Sequence, residues 1–240
     1  MRICITNDDS IHGEGLLILA NWAKKLGEVT IVAPKEQQSG KSHSIEFHHG
    51  FTVEKVSHPS GVEAYTVDST PADCVRIALL ALKKPFDLLL SGINCGYNLG
   101  REIIYSGTVG AALEATVHGV KSIALSTGFD TFAAAEQYLD NLWLFFQEHR
   151  LLEKGDAWNV NFPEETDGRI LITRQGGPFY SDDFVWKDNK VYASGKCVWP
   201  ESDDMRYDTN AVLSGKHISV TPICNDHTDE RAFSLLMQNK

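Results

Sequence analysis

Apolar positions along this chain follow two spacings, and the spacings take turns. Arg2 to Thr6 is a short apolar run with β-branched residues, the pattern of a strand. After Gly13 the interval lengthens: Leu16, Leu19, Ala20, Ala23 and Leu26 recur at helical spacing, and Gly27 supplies the stop. The stretch EVTIVAP returns to strand character and ends at Pro34. Strand, helix and strand in so few residues predict a βαβ unit and hence a parallel sheet. The alternation then repeats. TPADCVRIALLAL predicts a helix with Pro71 in its first turn and Ser69 or Thr70 as its cap, and FDLLLSG predicts the strand after it. TVGAALEATVHG reads as a helix, KSIALSTG as a strand, FAAAEQYLDNLWLFFQEH as a longer helix and WNVNFP as a strand. The expected fold is therefore α/β, a doubly wound Rossmann-like core with a mainly parallel sheet, over residues 1–174.

The pattern changes in residues 175–208. Phe179, Tyr180, Phe184, Trp186, Tyr192 and Trp199 are scattered among Asp, Lys, Ser, Gly and Pro with alternation but no helical period. This predicts a β-hairpin or extended arm. Two solvated faces cannot accommodate that many rings, so the arm is expected to mediate a homodimer or a dimer of dimers. Residues 209–240 return as a strand, KHISVTPI, and a terminal helix, DERAFSLLM.

Composition narrows the function. The chain has 240 residues, 42% apolar, so it can bury a full core. A net charge of −10 argues against a nucleic-acid polymer as partner, since such a surface needs clustered Lys and Arg. No apolar run approaches membrane-spanning length, and the first residues pass straight into a strand, so a cytoplasmic protein away from the membrane is expected. The five cysteines are odd in number and scattered without a CxxC, as for reduced thiols.

In open α/β sheets ligands bind beyond the carboxyl ends of the strands, so the polar residues just after each strand are the informative ones. They are Asn7, Asp8 and Asp9 after the first strand, Ser39 and Gly40 in the loop after the second, and Ser91 to Asn94 after FDLLL. On its own an Asp-Asp pair is a turn or capping element. Converging with a hydroxyl and an amide, it forms an all-oxygen donor set that suits Mg²⁺ or Mn²⁺ better than zinc. The segment from Ser91 to Ala115, SGINCGYNLGREIIYSGTVGAALEA, is glycine-rich but is neither a Walker loop nor GxGxxG, so no nucleotide cofactor is expected. At its end Ser106, Gly107 and Thr108 precede a helix, where hydroxyls and free N–H groups can cap the helix or hold a phosphate. Of the histidines only His43 lies where a supporting role is plausible; His48, His49 and His58 read as surface turns.

With these segments in view, the sequence resembles the SurE family of stationary-phase survival nucleotidases. The likeness rests on NDD at Asn7 to Asp9, VAP at Val32 to Pro34, Ser39-Gly40 and TPADCV from Thr70, and on SGINCGYNLG from Ser91 and YSGTVGAALEA from Tyr105. NVNFP and ISVTPI extend it to almost the whole chain. The resemblance implies a metal-dependent phosphatase acting on nucleoside 5′- and 3′-monophosphates, and on short polyphosphate as well, with one divalent ion (Mg²⁺ or Mn²⁺) per subunit. It implies Asp8, Asp9, Ser39 and Asn94 as metal ligands, Asp8 and Asp9 as catalytic residues, and Asn98, Ser106, Gly107 and Thr108 as the phosphate-contacting set. Family members are oligomeric, which fits a homodimer or homotetramer. Two other readings remain: a haloacid-dehalogenase-like phosphatase, which expects Asp-x-Asp instead of adjacent acids, and a non-catalytic nucleotide- or metal-binding stress protein.

Overall fold

The structure is a computed structural model that describes residues 1–198 and 202–237; Trp199 of the arm lies outside the described residues. The first unit follows the predicted order, with β1 (Arg2–Thr6), α1 (Glu14–Ala23) and β2 (Glu28–Pro34). Two strands that the hydropathy pattern does not reveal come next, β3 (Val53–Val56) and β4 (Glu63–Val67). Helix α2 (Pro71–Arg76) starts at Thr70, whose hydroxyl accepts the Asp73 N–H at 3.2 Å, and it runs on into a π turn at Ile77–Ala81. Strand β5 (Leu88–Cys95) leads through a 3₁₀ turn at Gly100–Tyr105 into α3 (Gly107–Val117). Then follow β6 (Lys121–Thr127), α4 (Ala133–Glu148), the short α5 (Leu151–Lys154) and β7 (Ala157–Phe162). The carboxyl-terminal part holds β8 (Ile170–Ile172), the hairpin strands β9 (Phe184–Lys187) and β10 (Lys190–Ala193), β11 (Ile218–Ile223) and α6 (Glu230–Met237).

Nine strands form one sheet in the order β3-β4-β2-β1-β5-β6-β7-β11-β8. From β4 to β7 every pairing is parallel, while β3 and β11 run antiparallel to β4 and β7. Side chains alternate across this sheet with period two, which is why helices cover both faces. Ile3, Ile5, Leu88 and Leu90 join Leu16, Leu19, Leu139 and Phe146 in a core beneath α1 and α4. Cys4 and Leu89 point the other way, to Cys74, Val75, Ala111 and Ala115 of α2 and α3. Truncating a side chain such as Leu90 to Ala would cost about 2–5 kcal/mol, because so rigid a core closes a cavity only in part.

The chain winds from β1 outward to β2 and β4, then returns to place β5 on the other side of β1. The crevice between the carboxyl ends of β1 and β5 is thus the switch point, the place where a doubly wound sheet leaves room for a ligand. Apart from the sheet, β9 and β10 pair, among the described residues, only with each other. Phe184 and Trp186 on this hairpin are 63% and 77% exposed. Helix α6 buries none of its residues. Among the described residues no helix is long and apolar enough to cross a membrane, and all five cysteines are free.

Candidate active site

Strand β1 delivers Asp8 and Asp9 to the switch point, and their surroundings differ. Asp8 is 5% exposed and stands against the start of α3: a side chain at Gly107 would place its Cβ 3.2 Å from that of Asp8. The Thr108 hydroxyl donates to Asp8 Oδ1 at 2.5 Å. Burial pushes the Asp8 carboxyl up to about 6, the Thr108 bond opposes the shift and the neighbouring Asp9 charge adds to it. Asp9 is half-buried. It accepts the Cys95 N–H at 3.1 Å and, weakly, the Gln37 amide at 3.4 Å, and burial raises its pKa too. Two adjacent carboxylates, both raised by burial and Asp8 further by the Asp9 charge, are a cost to the isolated fold, and a cation beside them would relieve it.

The other predicted donors reach the same crevice by different routes. The loop after β2 is pinned beside the carboxylates by the Gln38 N–H, which donates to Asp8 O at 2.7 Å, and Ser39 follows it directly, exposed and, among the described residues, without a hydrogen bond. Asn94 ends a β5 segment whose register against β6 shifts between Ser91 and Asn94. That irregularity requires Gly92: its φ is +138°, and a Cβ there would lie 2.3 Å from Leu125 O. The Asn94 amide nitrogen donates to Gly96 O at 2.7 Å, which leaves its oxygen for a ligand. Among the described residues there is no cluster of three or more His, Cys, Asp and Glu arranged for a metal. The donor set therefore consists of two anions supplemented by neutral oxygens, which fits a hard divalent ion and not a thiophilic one.

The predicted phosphate segment is built as a helix start. Ser106 caps α3 by accepting the Val109 N–H at 3.1 Å, while the Thr108 hydroxyl is engaged by Asp8. Asn98 lies further along the carboxyl edge. Its N–H donates to Asn161 Oδ1 at 2.9 Å, its side-chain nitrogen to Ser126 Oγ at 2.8 Å, and its carbonyl receives the amides of Asn159 and Asn161 at 2.8 Å each. Sequence reasoning missed those two asparagines as site-supporting residues, since they read as ordinary positions of a strand. It also missed Asp208, a buried carboxylate that accepts the N–H groups of Gly100 at 3.1 Å and Gly176 at 2.7 Å and so ties the foot of the arm to the glycine loop.

His43 holds a loop in place. Its Nε2 is 2.7 Å from Glu114 Oε2, and His118 Nε2 is 3.1 Å from Oε1 of the same carboxylate. Burial pushes the Glu114 carboxyl up, but its two histidine partners outweigh this and hold it below the usual range. His58 corrects the expectation of a surface turn: it is 9% exposed, and its Nδ1 lies 2.7 Å from Ser60 Oγ.

Fold and crevice together define a doubly wound α/β protein with an acidic, oxygen-lined pocket at its switch point. The chain belongs to the SurE family: the family model described as "Survival protein SurE" matches residues 3–182. It is 37% identical over 248 residues to the 5′-nucleotidase SurE of Thermosipho melanesiensis, covering 98% of this chain and 96% of that one. It is 38% identical to the 5′-nucleotidase SurE of Carboxydothermus hydrogenoformans, covering 95% and 92% of the two chains. The crystal structure of the SurE protein from Aquifex aeolicus superposes with a TM-score of 0.80 at 31% identity, covering 99% of both chains.

Proposed function

We propose that this chain is a metal-dependent nucleotidase that hydrolyses nucleoside 5′- and 3′-monophosphates, and short polyphosphate in addition, from the crevice between β1 and β5. Its relationship to the 5′-nucleotidases above makes it a nucleoside monophosphate phosphohydrolase. The observation that carries the site is the meeting of Asp8 and Asp9 with the loops of Ser39 and Asn94 at one strand edge. These four residues would hold one divalent ion, Mg²⁺ or Mn²⁺, which when bound polarises the phosphoryl oxygens and offsets the charge that develops on them.

The rest of the chemistry belongs to the chain. The N-terminus of α3, from Ser106 to Thr108, presents its dipole and backbone N–H groups to the phosphate, with Asn98 at the side. A water attacks phosphorus in line with the ester oxygen, the P–O ester bond breaks, and the leaving oxygen takes a proton from solvent as the nucleoside departs. Asp9 takes the proton from that water. The two carboxylates are separated in role by their partners, since Asp8 is buried and held by Thr108 whereas Asp9 stays half open to an incoming water.

Five free cysteines, two of them exposed, favour a reducing compartment, and we place the protein in the cytoplasm. The exposed rings of β9 and β10 support the reading of residues 175–208 as an arm that joins two subunits or two pairs. Phosphate release from a panel of nucleotides with Mn²⁺ tests the activity. Release should stop with EDTA and return on adding Mn²⁺ or Mg²⁺; release that survives exhaustive chelation overturns the metal assignment.

A further inference from the structure

Phe129, in the loop between β6 and α4, is 76% exposed, yet it is not loosely placed. One edge of its ring occupies the space a side chain at Gly96 would need: a Cβ there would lie 2.9 Å from Phe129 Cε1 and 3.1 Å from Cζ. Gly96 has a φ of +126°, which only glycine adopts without strain, so backbone and space both keep a side chain away from the ring. The flanking backbone is fixed as well. The Cys95 thiol lies 3.5 Å from Phe129 O, and the Asp130 N–H donates to Glu164 Oε1 at 3.0 Å. A large ring is thus held open to water on the residues that build the crevice, for Cys95 donates its N–H to Asp9 and Asn94 binds Gly96 O. Tyr97, which follows Gly96, and Thr131, two residues after Phe129, line an open groove of about 450 Å³ together with Glu164 and Lys216, and there the Tyr97 hydroxyl accepts the Glu164 N–H at 3.1 Å.

We infer that Phe129 is the stacking platform for the nucleobase of the substrate, with the Tyr97 groove as the space the base enters. This deepens the nucleotidase reading and rests on it. A pre-positioned ring loses little conformational freedom when a base stacks on it, and the stacked face tolerates any base. The rim adds a selection by charge. It carries Asp130, Glu164 and Glu165 against the cation Lys216, which is paired with Glu165, so it stays net negative and favours the base over the phosphate on this side.

Steady-state kinetics with AMP, GMP and ribose 5-phosphate, on the wild type and on Phe129→Ala, Phe129→Leu and Phe129→Trp, test the assignment. Ribose 5-phosphate carries the same ester without a base. Phe129→Ala should raise KM for both nucleotides about tenfold or more while leaving kcat and all ribose 5-phosphate constants in place, which also shows the variant to be folded. Trp should restore the nucleotide KM and Leu should not. In metal-free protein, adenosine should quench the fluorescence added by Phe129→Trp, and ribose 5-phosphate should not. Equal losses for ribose 5-phosphate, an unchanged nucleotide KM, or rescue by Leu as complete as by Trp would each overturn the platform. A wild type that hydrolyses ribose 5-phosphate as well as AMP removes the base subsite but leaves the phosphohydrolase, whereas one that hydrolyses none of the three removes the nucleotidase reading itself.

Discussion

Asp8 and Ser106 carry their predictions at the scale of single residues. A carboxyl raised from 3.8 to about 6 binds a proton in the folded state where the unfolded chain has released it. Stability from this group is therefore lost as pH rises between those values, and above about 6 the full penalty stands, of order 3 kcal/mol for a shift of about two units. In the presence of EDTA, Asp8→Asn should become more stable relative to wild type as pH climbs from 4 to 7, and urea unfolding measures the divergence. Adding Mn²⁺ at pH 7 should close the gap by stabilising the wild type, and parallel unfolding curves for the two proteins would deny the burial of a charge. Asp9→Asn should abolish turnover with the fold kept, as judged by circular dichroism. Ser106→Ala removes a cap, which costs about 1 kcal/mol. If Ser106 also faces the phosphate, kcat/KM should drop by a further tenfold or more, in line with about 1–3 kcal/mol for a charge-assisted bond. Loss of stability with full activity would leave it as a cap alone.

At the scale of elements, α3 meets the Ser39 loop at a close contact. A Cβ on Gly110 would come 2.6 Å from Ser42 O and 2.9 Å from His43 Cα. Alanine is the better helix former by up to about 1 kcal/mol, yet here it must push the loop away and Ser39 with it. Gly110→Ala is expected to lose about 1–3 kcal/mol of stability despite the helix propensity gained, and to lower kcat/KM on the order of 100-fold, with weaker Mn²⁺ binding by titration. Glu114→Gln, which loosens the grip on His43 and His118, should act in the same direction but less strongly. How far such elements could be read from sequence follows from what they bury. β2 and β5 are mostly apolar and β1 and β6 carry apolar β-branched or aliphatic centres, because both faces of the sheet are covered, and the helices between them show an apolar stripe, so their order was readable. β3 exposes or half-exposes each of its four residues and β8 has only three, so neither leaves an apolar signature. Asp8, Asp9, Ser39 and Asn94 could be collected because loops after parallel strands converge by topology. Glu114, Asn159, Asn161 and Asp208 could not, because a polar residue inside a helix or strand reveals its partner only once distant segments pack together.

On the scale of the whole molecule, the arm is anchored at its foot and its β9–β10 hairpin is bare. Phe179 is buried with Leu99 and Val212, and Asp208 binds the backbone of Gly100 and Gly176, so both ends of the arm are fastened to the glycine loop. Between those fastenings Phe184, Val185, Trp186, Val191 and Tyr192 are all exposed, on a hairpin that, among the described residues, pairs with no other strand. Two strands alone are marginal in water, and large aromatics each bring about 150–250 Å² of burial when covered. Two copies of such an arm, exchanged between subunits, reach the roughly 1,000 Å² that a specific interface requires. Removing residues 180–204 behind a short Gly-Ser link leaves Phe179 and Asp208 in place, so the glycine loop and the Asp8–Asp9 pair keep their supports. The full chain should run as a dimer or tetramer in light scattering and the shortened protein as a monomer that binds Mn²⁺ as before and changes its preference among nucleotides, because the arm is rooted beside the crevice. A deletion variant that remains associated and keeps the original preference would instead make the hairpin a cover for its own subunit, with the subunit contact elsewhere on the molecule.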